Sequence, residues 1–225
     1  MHSICVLLAW MMNKDLDTKA KVLRVRATDG GARLCLTIEH TDGERTERET
    51  LALYTSRLSH TPRVGEIDGE LLAYYRREET LARALDLGLR SLGSADGSKE
   101  QLVRKLRAKR VSSDVAREAV CEISARGLLC EEDAAVRAAE RGMAKLWGNK
   151  RILADLCAKG YGADALDAAK ERLAMEDAVA RCRNLLRKRG IHEQPRDVHD
   201  AQKLIASLLR YGYSTGEIRA AFEKE

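Results

Sequence analysis

The feature that most constrains this chain is a pattern recurring every ~50 residues over its C-terminal part. The segments LVRKLRAKRV (102–111), ILADLCAKGY (152–161) and LIASLLRYGY (204–213) can be laid over one another. Each opens on two apolar residues, headed by Leu102, Ile152 or Leu204, and has another apolar residue four positions after the first. A helix stop follows four positions later (Arg110, Gly160, Gly212), and then an apolar residue (Val111, Tyr161, Tyr213). A period of this size implies one supersecondary unit copied along the chain, each copy burying its face against the next. Function is therefore expected on a long helical surface before a pocket.

Composition agrees with a helix-rich chain. Charged residues make up 33% and aromatics only 4%, with two prolines, while hydrophobic residues still reach 44%, enough for a core. The net charge of +5 permits a basic surface without announcing one. Six cysteines show no Cys-x-x-Cys pair and no histidine at metal spacing, so they read as reduced thiols packed mostly as small apolar residues. Residues 4–12 are apolar, but no basic residue precedes them and no small-residue cleavage site follows, and they are too few to span a bilayer. They are expected to be a poorly ordered start, with translation beginning at Met11 or Met12. The expected location is cytoplasmic.

Residues 20–69 differ from the rest. Leu23, Val25 and Ala27 alternate with Arg24 and Arg26; Leu34, Leu36 and Ile38 alternate beyond an Asp29-Gly30-Gly31 turn. Such period-two patterning around a turn predicts a hairpin. A second turn at Asp42-Gly43 offers a third strand over 46–54, and Pro62 and Gly65 close the region. So small a sheet needs support, which the first helix is expected to supply. From residue 70 the period turns helical. Leu81, Leu85 and Leu89 form one stripe, and capping boxes start helices at Ser98/Gln101 and Ser214/Glu217. Gly127, Gly190 and Gly212 end helices, and Asn149 and Asp164 are expected N-caps. Small residues at 135, 138, 139 and 142 would let a neighbouring helix come close. The reading is a mainly α protein: nine helices over about 73–92, 98–109, 114–126, 131–146, 150–159, 165–174, 176–189, 197–210 and 214 onward. They form three tandem three-helix repeats in an elongated, curved array behind a small N-terminal β element. The expected divisions are 1–19, 20–69, 70–128, 129–174 and 175–225.

GNKRILADLCAKGY (148–161) resembles the central signature of the RecX family of recombinase regulators. SKEQL (98–102), RGLL (126–129) and RYGYS (210–214) agree in order and spacing, and the resemblance covers about residues 74–224. It implies tandem three-helix repeats and a non-enzymatic regulator that binds the RecA filament, damping its ATPase, strand-exchange and coprotease activities in DNA repair and the SOS response. Two departures stand out. The acidic pair after the glycine–leucine run is shifted to CEED (130–133), and Arg110 replaces the first helix-stop glycine, at a cost of order 1 kcal/mol if left-handed.

The expected partner-binding residues, for protein or nucleic acid, are the basic face Arg104, Lys105, Arg107 and Lys109, the pair Lys150 and Arg151, and the cluster Arg187 and Lys188. Cations at a helix start oppose the macrodipole by about 0.3–1 kcal/mol, so an anionic partner is one candidate to offset Lys150 and Arg151. The dipole already accounts for the cluster at 187–189. Tyr161, Tyr213 and Trp147 read as packing. No nucleophile elbow, Walker loop or His-Glu-x-x-His motif is present, so no catalytic residue, metal or cofactor is assigned. Expected partners are the recombinase filament and single- or double-stranded DNA, with no membrane or small-molecule substrate, and the chain is expected to be a monomer. The alternative is a recombinase-independent DNA-binding protein using the same basic faces.

Overall fold

In a computed structural model of the protein, residues 19–42, 45–92, 97–193 and 197–223 are described. The expected N-terminal segment, up to residue 18, and Gly43 of the expected second turn lie outside these ranges. The chain forms two compact units: one runs through Leu87 and includes Asp114–Ala119, the other holds Gly88–Ser113 and Val120–Glu225.

The first unit contains an antiparallel sheet of strands β1 (Lys19–Thr28), β2 (Arg33–Asp42), β3 (Arg45–Tyr54) and β4 (Gly65–Ile67), in the order β3-β2-β1-β4. The β1–β2 turn runs left-handed at Asp29, Gly30 and Gly31 (φ 52°, 65° and 94°), which the two glycines adopt without a Cβ penalty. Strand β4 was not anticipated: three residues are too few to show alternation, and only the pairing of Ala20 with Ile67 and of Val22 with Gly65 defines it. The inward face of β1 also differs from expectation. The register shifts between Val22 and Arg24, so Ala20 and Val22 are buried before the irregularity, Val25 is half-buried beyond it, and Ala27 is exposed. An extra residue in one strand swaps the two faces. Val22, Leu36, Ile38 and Leu53 pack on Leu72 and Tyr75 of helix α1 (Gly69–Leu92), so the sheet leans on the first helix.

Along α1, Leu81 and Leu85 are buried but Leu89 is 37% exposed. Steps of four residues overshoot the 3.6-residue turn, and burial passes instead through Ala84, Gly88 and Ser91. Eight further helices follow among the described residues: α2 (Lys99–Ala108), α3 (Ser113–Ala125), α4 (Glu131–Ala144), α5 (Asn149–Ala158), α6 (Ala163–Ala174), α7 (Ala178–Lys188), α8 (Val198–Arg210) and α9 (Thr215–Phe222). Both expected capping boxes are present, at Ser98/Gln101 and Ser214/Glu217. The caps expected at Asn149 and Asp164 are instead Gly148 and Gly162, with Asn149 the first helical residue. Its side-chain oxygen accepts from Arg181 at 3.2 Å, so it is spent on tertiary contact.

Apolar clusters among the described residues of the second unit include two built from α4 onward. Ala134, Ala135, Ala138 and Ala139 of α4 meet Ile152, Leu156, Tyr161 and Leu173; Cys182, Leu185, Leu208, Tyr213 and Ile218 form the other. The small face of α4 does admit a close neighbour: a Cβ on Gly142 would stand 2.8 Å from Ile152 Cγ1. The cysteine expectation fails at the surface, since Cys121, Cys130 and Cys157 are exposed and, among the described residues, only Cys182 is buried, its thiol pushed up to about 11 chiefly by burial. Among the described residues no helix is long and apolar enough to cross a membrane.

The three helix stops share one geometry. Arg110, Gly160 and Gly212 are left-handed (φ 66°, 78° and 93°). The residue after each donates back into the helix: Val111 N to Leu106 O (3.2 Å), Tyr161 N to Leu156 O (3.3 Å) and Tyr213 N to Leu208 O (3.2 Å). Arg110 bears the strain a Cβ brings there. Substituting Arg110→Gly is expected to stabilise the chain by about 1 kcal/mol, read as a raised urea midpoint at unchanged slope.

Candidate functional site

Helix α2 buries Leu102, Val103 and Leu106, and that stripe turns Arg104, Lys105, Arg107 and Lys109 to solvent. Arg104 is partly engaged: it lies 3.6 Å from Glu100 and within 3.5 Å of the Lys159 carbonyl. Lys105, Arg107 and Lys109 make no ion pair among the described residues. Arg104, Arg107 and Arg110 line a shallow, open depression together with Ser112 and Ser113.

A second basic surface assembles where two turns touch. Gly148 N donates to Tyr211 O (2.8 Å) and Lys150 N to Gly212 O (3.2 Å). A Cβ on Gly148 would collide with the backbone of Gly212 and Tyr213, so only glycine lets the turns meet this closely. The same two-turn joint occurs one period earlier, where Ser98 Oγ donates to Lys159 O (2.6 Å) and Gly160 faces Glu100. At the later joint Trp147 and Arg151 from one turn meet Tyr211 from the other. The Arg151 guanidinium lies 4.3 Å from the Trp147 ring centroid and 5.2 Å from that of Tyr211. Arg189 lies 4.5 Å from the Tyr211 centroid, and Lys145 Nζ 5.1 Å from that of Trp147. Behind the joint, Arg181 is 7% exposed and donates to Trp147 O (3.1 Å), while its second terminal nitrogen has no hydrogen-bond partner among the described residues.

Of the residues expected from sequence, Arg151 sits in this stack and Lys150 is exposed beside it on the first turn of α5. The rings offset part of the unfavourable dipole position of Arg151. Arg187 and Lys188 are exposed on the last turn of α7, next to Arg189. The α2 cations lie elsewhere, and no contact among the described residues joins them to the stack. Sequence reading passed over Lys145 and Tyr211, explained Arg189 by its place at a helix C-terminus, and read Trp147 as packing alone. Trp147 is indeed half-buried against the α4–α6 cluster, but its ring also carries two cations. Tyr161 and Tyr213 are buried, as expected.

The chain is thus mainly helical with a small N-terminal sheet, and it carries cations that its own carboxylates do not balance. No family model matches it. It is 28% identical over 148 residues to "Regulatory protein RecX" of Xanthomonas axonopodis pv. citri (strain 306), covering 65% of this chain and 88% of that protein, and the same holds for the protein of that name in Xanthomonas citri. Its fold is similar to a crystal structure of regulatory protein RecX (TM-score 0.67, 17% identity, 90% of this chain and 98% of that one). RecX from Lactobacillus salivarius gives a TM-score of 0.53 at 21% identity, over 64% and 94% of the two chains. Sequence and fold support the same family, RecX, and bear out the resemblance read from the helix-stop signatures.

Proposed function

We propose that this chain is a regulator of the RecA recombinase, binding its filament and lowering its ATPase, strand-exchange and coprotease activities in DNA repair and the SOS response. The observation that carries this reading is the sequence match reaching across 88% of a curated regulatory protein RecX. Its helices fall into three tandem repeats, 70–128, 129–174 and 175–225. The recurring left-handed stop with its back-donated hydrogen bond, and the joint repeated one period apart, support that division. In this reading the protein works as a cytoplasmic monomer and catalyses nothing itself. Its basic face at Arg104, Lys105, Arg107 and Lys109 is distinct from the one that Lys150 and Arg151 share with Arg187 and Lys188, so one molecule can touch more than one filament subunit. Arginine suits such contacts because its planar fork pairs with carboxylate or phosphate through two hydrogen bonds.

The test is ATP hydrolysis and strand exchange by filaments preassembled on single-stranded DNA. The purified chain is expected to depress both at substoichiometric to equimolar ratios. The triple reversal K105E/R107E/K109E is expected to raise the half-inhibitory concentration about tenfold, as loss of a few screened charge contacts would. Unchanged hydrolysis and exchange at a severalfold excess of the chain would overturn the proposal.

A further inference from the structure

We propose that the stack of Lys145, Trp147, Arg151, Tyr211 and Arg189 is a grip for single-stranded nucleic acid, acting without any recombinase. The inference does not rest on the preceding one. Its ground is a contrast in how cations are held. Several cations elsewhere on the helical unit are balanced by nearby carboxylates, as in Arg126–Glu122, Lys159–Asp155 and Arg172 with Glu140 and Glu176, while the unpaired Lys105, Arg107 and Lys109 of α2 lie against no ring among the described residues. In the stack, Lys145, Arg151 and Arg189 are held by rings and make no ion pair among the described residues. A ring fixes a guanidinium plane without cancelling its charge. Arg189 is further pinned by donating to Ser207 Oγ at 3.1 Å. The cost of ordering these long side chains is therefore met before a ligand arrives, and their remaining N–H groups stay available to an anion.

Charge alone would suit any polyanion; the rings select among them. Trp147, Arg151 and Tyr211 are half-exposed, while Lys145 and Arg189 are exposed, so flat faces and cations share one open surface. Unpaired bases stack on aromatic rings and on guanidinium planes, and their phosphates take the N–H edges. A duplex hides its base faces and would gain only from the charges. An acidic peptide has carboxylates but mostly lacks flat groups. Exposed Lys150 next to Arg151, and exposed Arg187 and Lys188 just before Arg189 in the chain, add cations for a phosphate chain.

Fluorescence anisotropy of a labelled thymidine 30-mer, with the full chain and no recombinase or nucleotide, tests the grip. Binding is expected at low salt and should weaken steeply as salt rises. R151E and R189E are each expected to lower affinity about tenfold, and Tyr211→Leu by about tenfold through lost stacking. Lys170→Glu, which makes the same charge change at a residue paired with Asp167, is expected to stay within about twofold. Thermal melts of all variants accompany the titrations, and the exposed Arg189 keeps the test valid should Tyr211→Leu fail to fold. The proposal is overturned by absent binding at low salt, by a duplex of equal length binding as tightly, or by polyglutamate competing as well as the thymidine strand. It is equally overturned if R151E and R189E lower the melting temperature but match Lys170→Glu in affinity, which would make the stack a brace and nothing more. Because no recombinase is present, none of these results bears on filament regulation.

Discussion

Replacing Gly212 with alanine is expected to destabilise the chain by about 3 kcal/mol, as two costs combine. Gly212 is left-handed (φ 93°), where a Cβ costs about 1 kcal/mol. Its Cβ would also collide with the backbone nitrogen and Cβ of Arg151, a backbone-level clash of the overpacking kind that costs about 1–3 kcal/mol. A graded series separates the two. Gly190 is left-handed (φ 71°) with open space around it, so Gly190→Ala should cost only about 1 kcal/mol. Gly160 (φ 78°) faces the Glu100 side chain at 2.8–2.9 Å, and that side chain can swing away, so Gly160→Ala should fall between the two. Urea titration of the three variants should rank them Gly212, Gly160, Gly190. Equal losses would mean that backbone conformation alone acts and that the turns do not bear on each other. Gly212→Ala should also part Arg151 from Tyr211 and open the cation–ring stack.

That joint marks the limit of what the sequence discloses. The helix stops at Gly160 and Gly212, the capping boxes at Ser98 and Ser214, and the buried tyrosines were legible because a helix end is local chemistry: a few neighbouring residues carry the whole signal. Leu146 shows where this fails. It ends α4 in a left-handed turn (φ 58°) that no glycine announces. The turn is held from afar, by Tyr213 Oη donating to its carbonyl at 2.8 Å and by packing in the second apolar cluster. The stack is hidden for the same reason. Trp147 and Arg151 lie near each other in sequence, but Tyr211 and Arg189 come from other helices, and periodicity along one helix cannot say which of its ends will meet another. The fourth strand and the register shift in β1 escaped likewise, since cross-strand partners define both. Exposure of Cys121, Cys130 and Cys157 followed from which helix face found a neighbour, and composition carries no record of that.

In the sheet-bearing unit, Asp86→Ala is expected to cost about 2–3 kcal/mol, more than any other single surface-accessible carboxylate change there. The Asp86 carboxylate on α1 accepts from Arg33 Nη1 (2.9 Å), Arg33 Nη2 (2.5 Å) and Tyr54 Oη (2.5 Å). Arg33 also donates to Tyr54 Oη (2.7 Å) and lies 4.5 Å from the Tyr54 ring centroid. Because Arg33 opens β2 and pairs with Tyr54 at the end of β3, one carboxylate pins that end of the hairpin to the helix. Breaking a fully buried pair costs about 3–5 kcal/mol. Here the side chains are 28% and 23% exposed, so solvent screening lowers the figure. Asp86→Asn keeps the shape but loses the charge and should cost about half as much. Tyr54 adds a pH signature. Burial first, then its hydrogen bond to Asp86, raises its pKa above 10.0. A raised folded-state value means that its contribution is whole below the ordinary tyrosine range and is lost as pH climbs through the raised one. The gap between wild type and Asp86→Ala should therefore hold steady around neutrality and narrow in strongly alkaline buffer. A double-mutant cycle with Tyr54→Phe, read by chemical denaturation at neutral pH, should return a coupling of about 1 kcal/mol. A loss under about 0.5 kcal/mol for Asp86→Ala would place it with ordinary exposed pairs and leave the apolar contacts of Leu72 and Tyr75 as what holds the sheet to its helix.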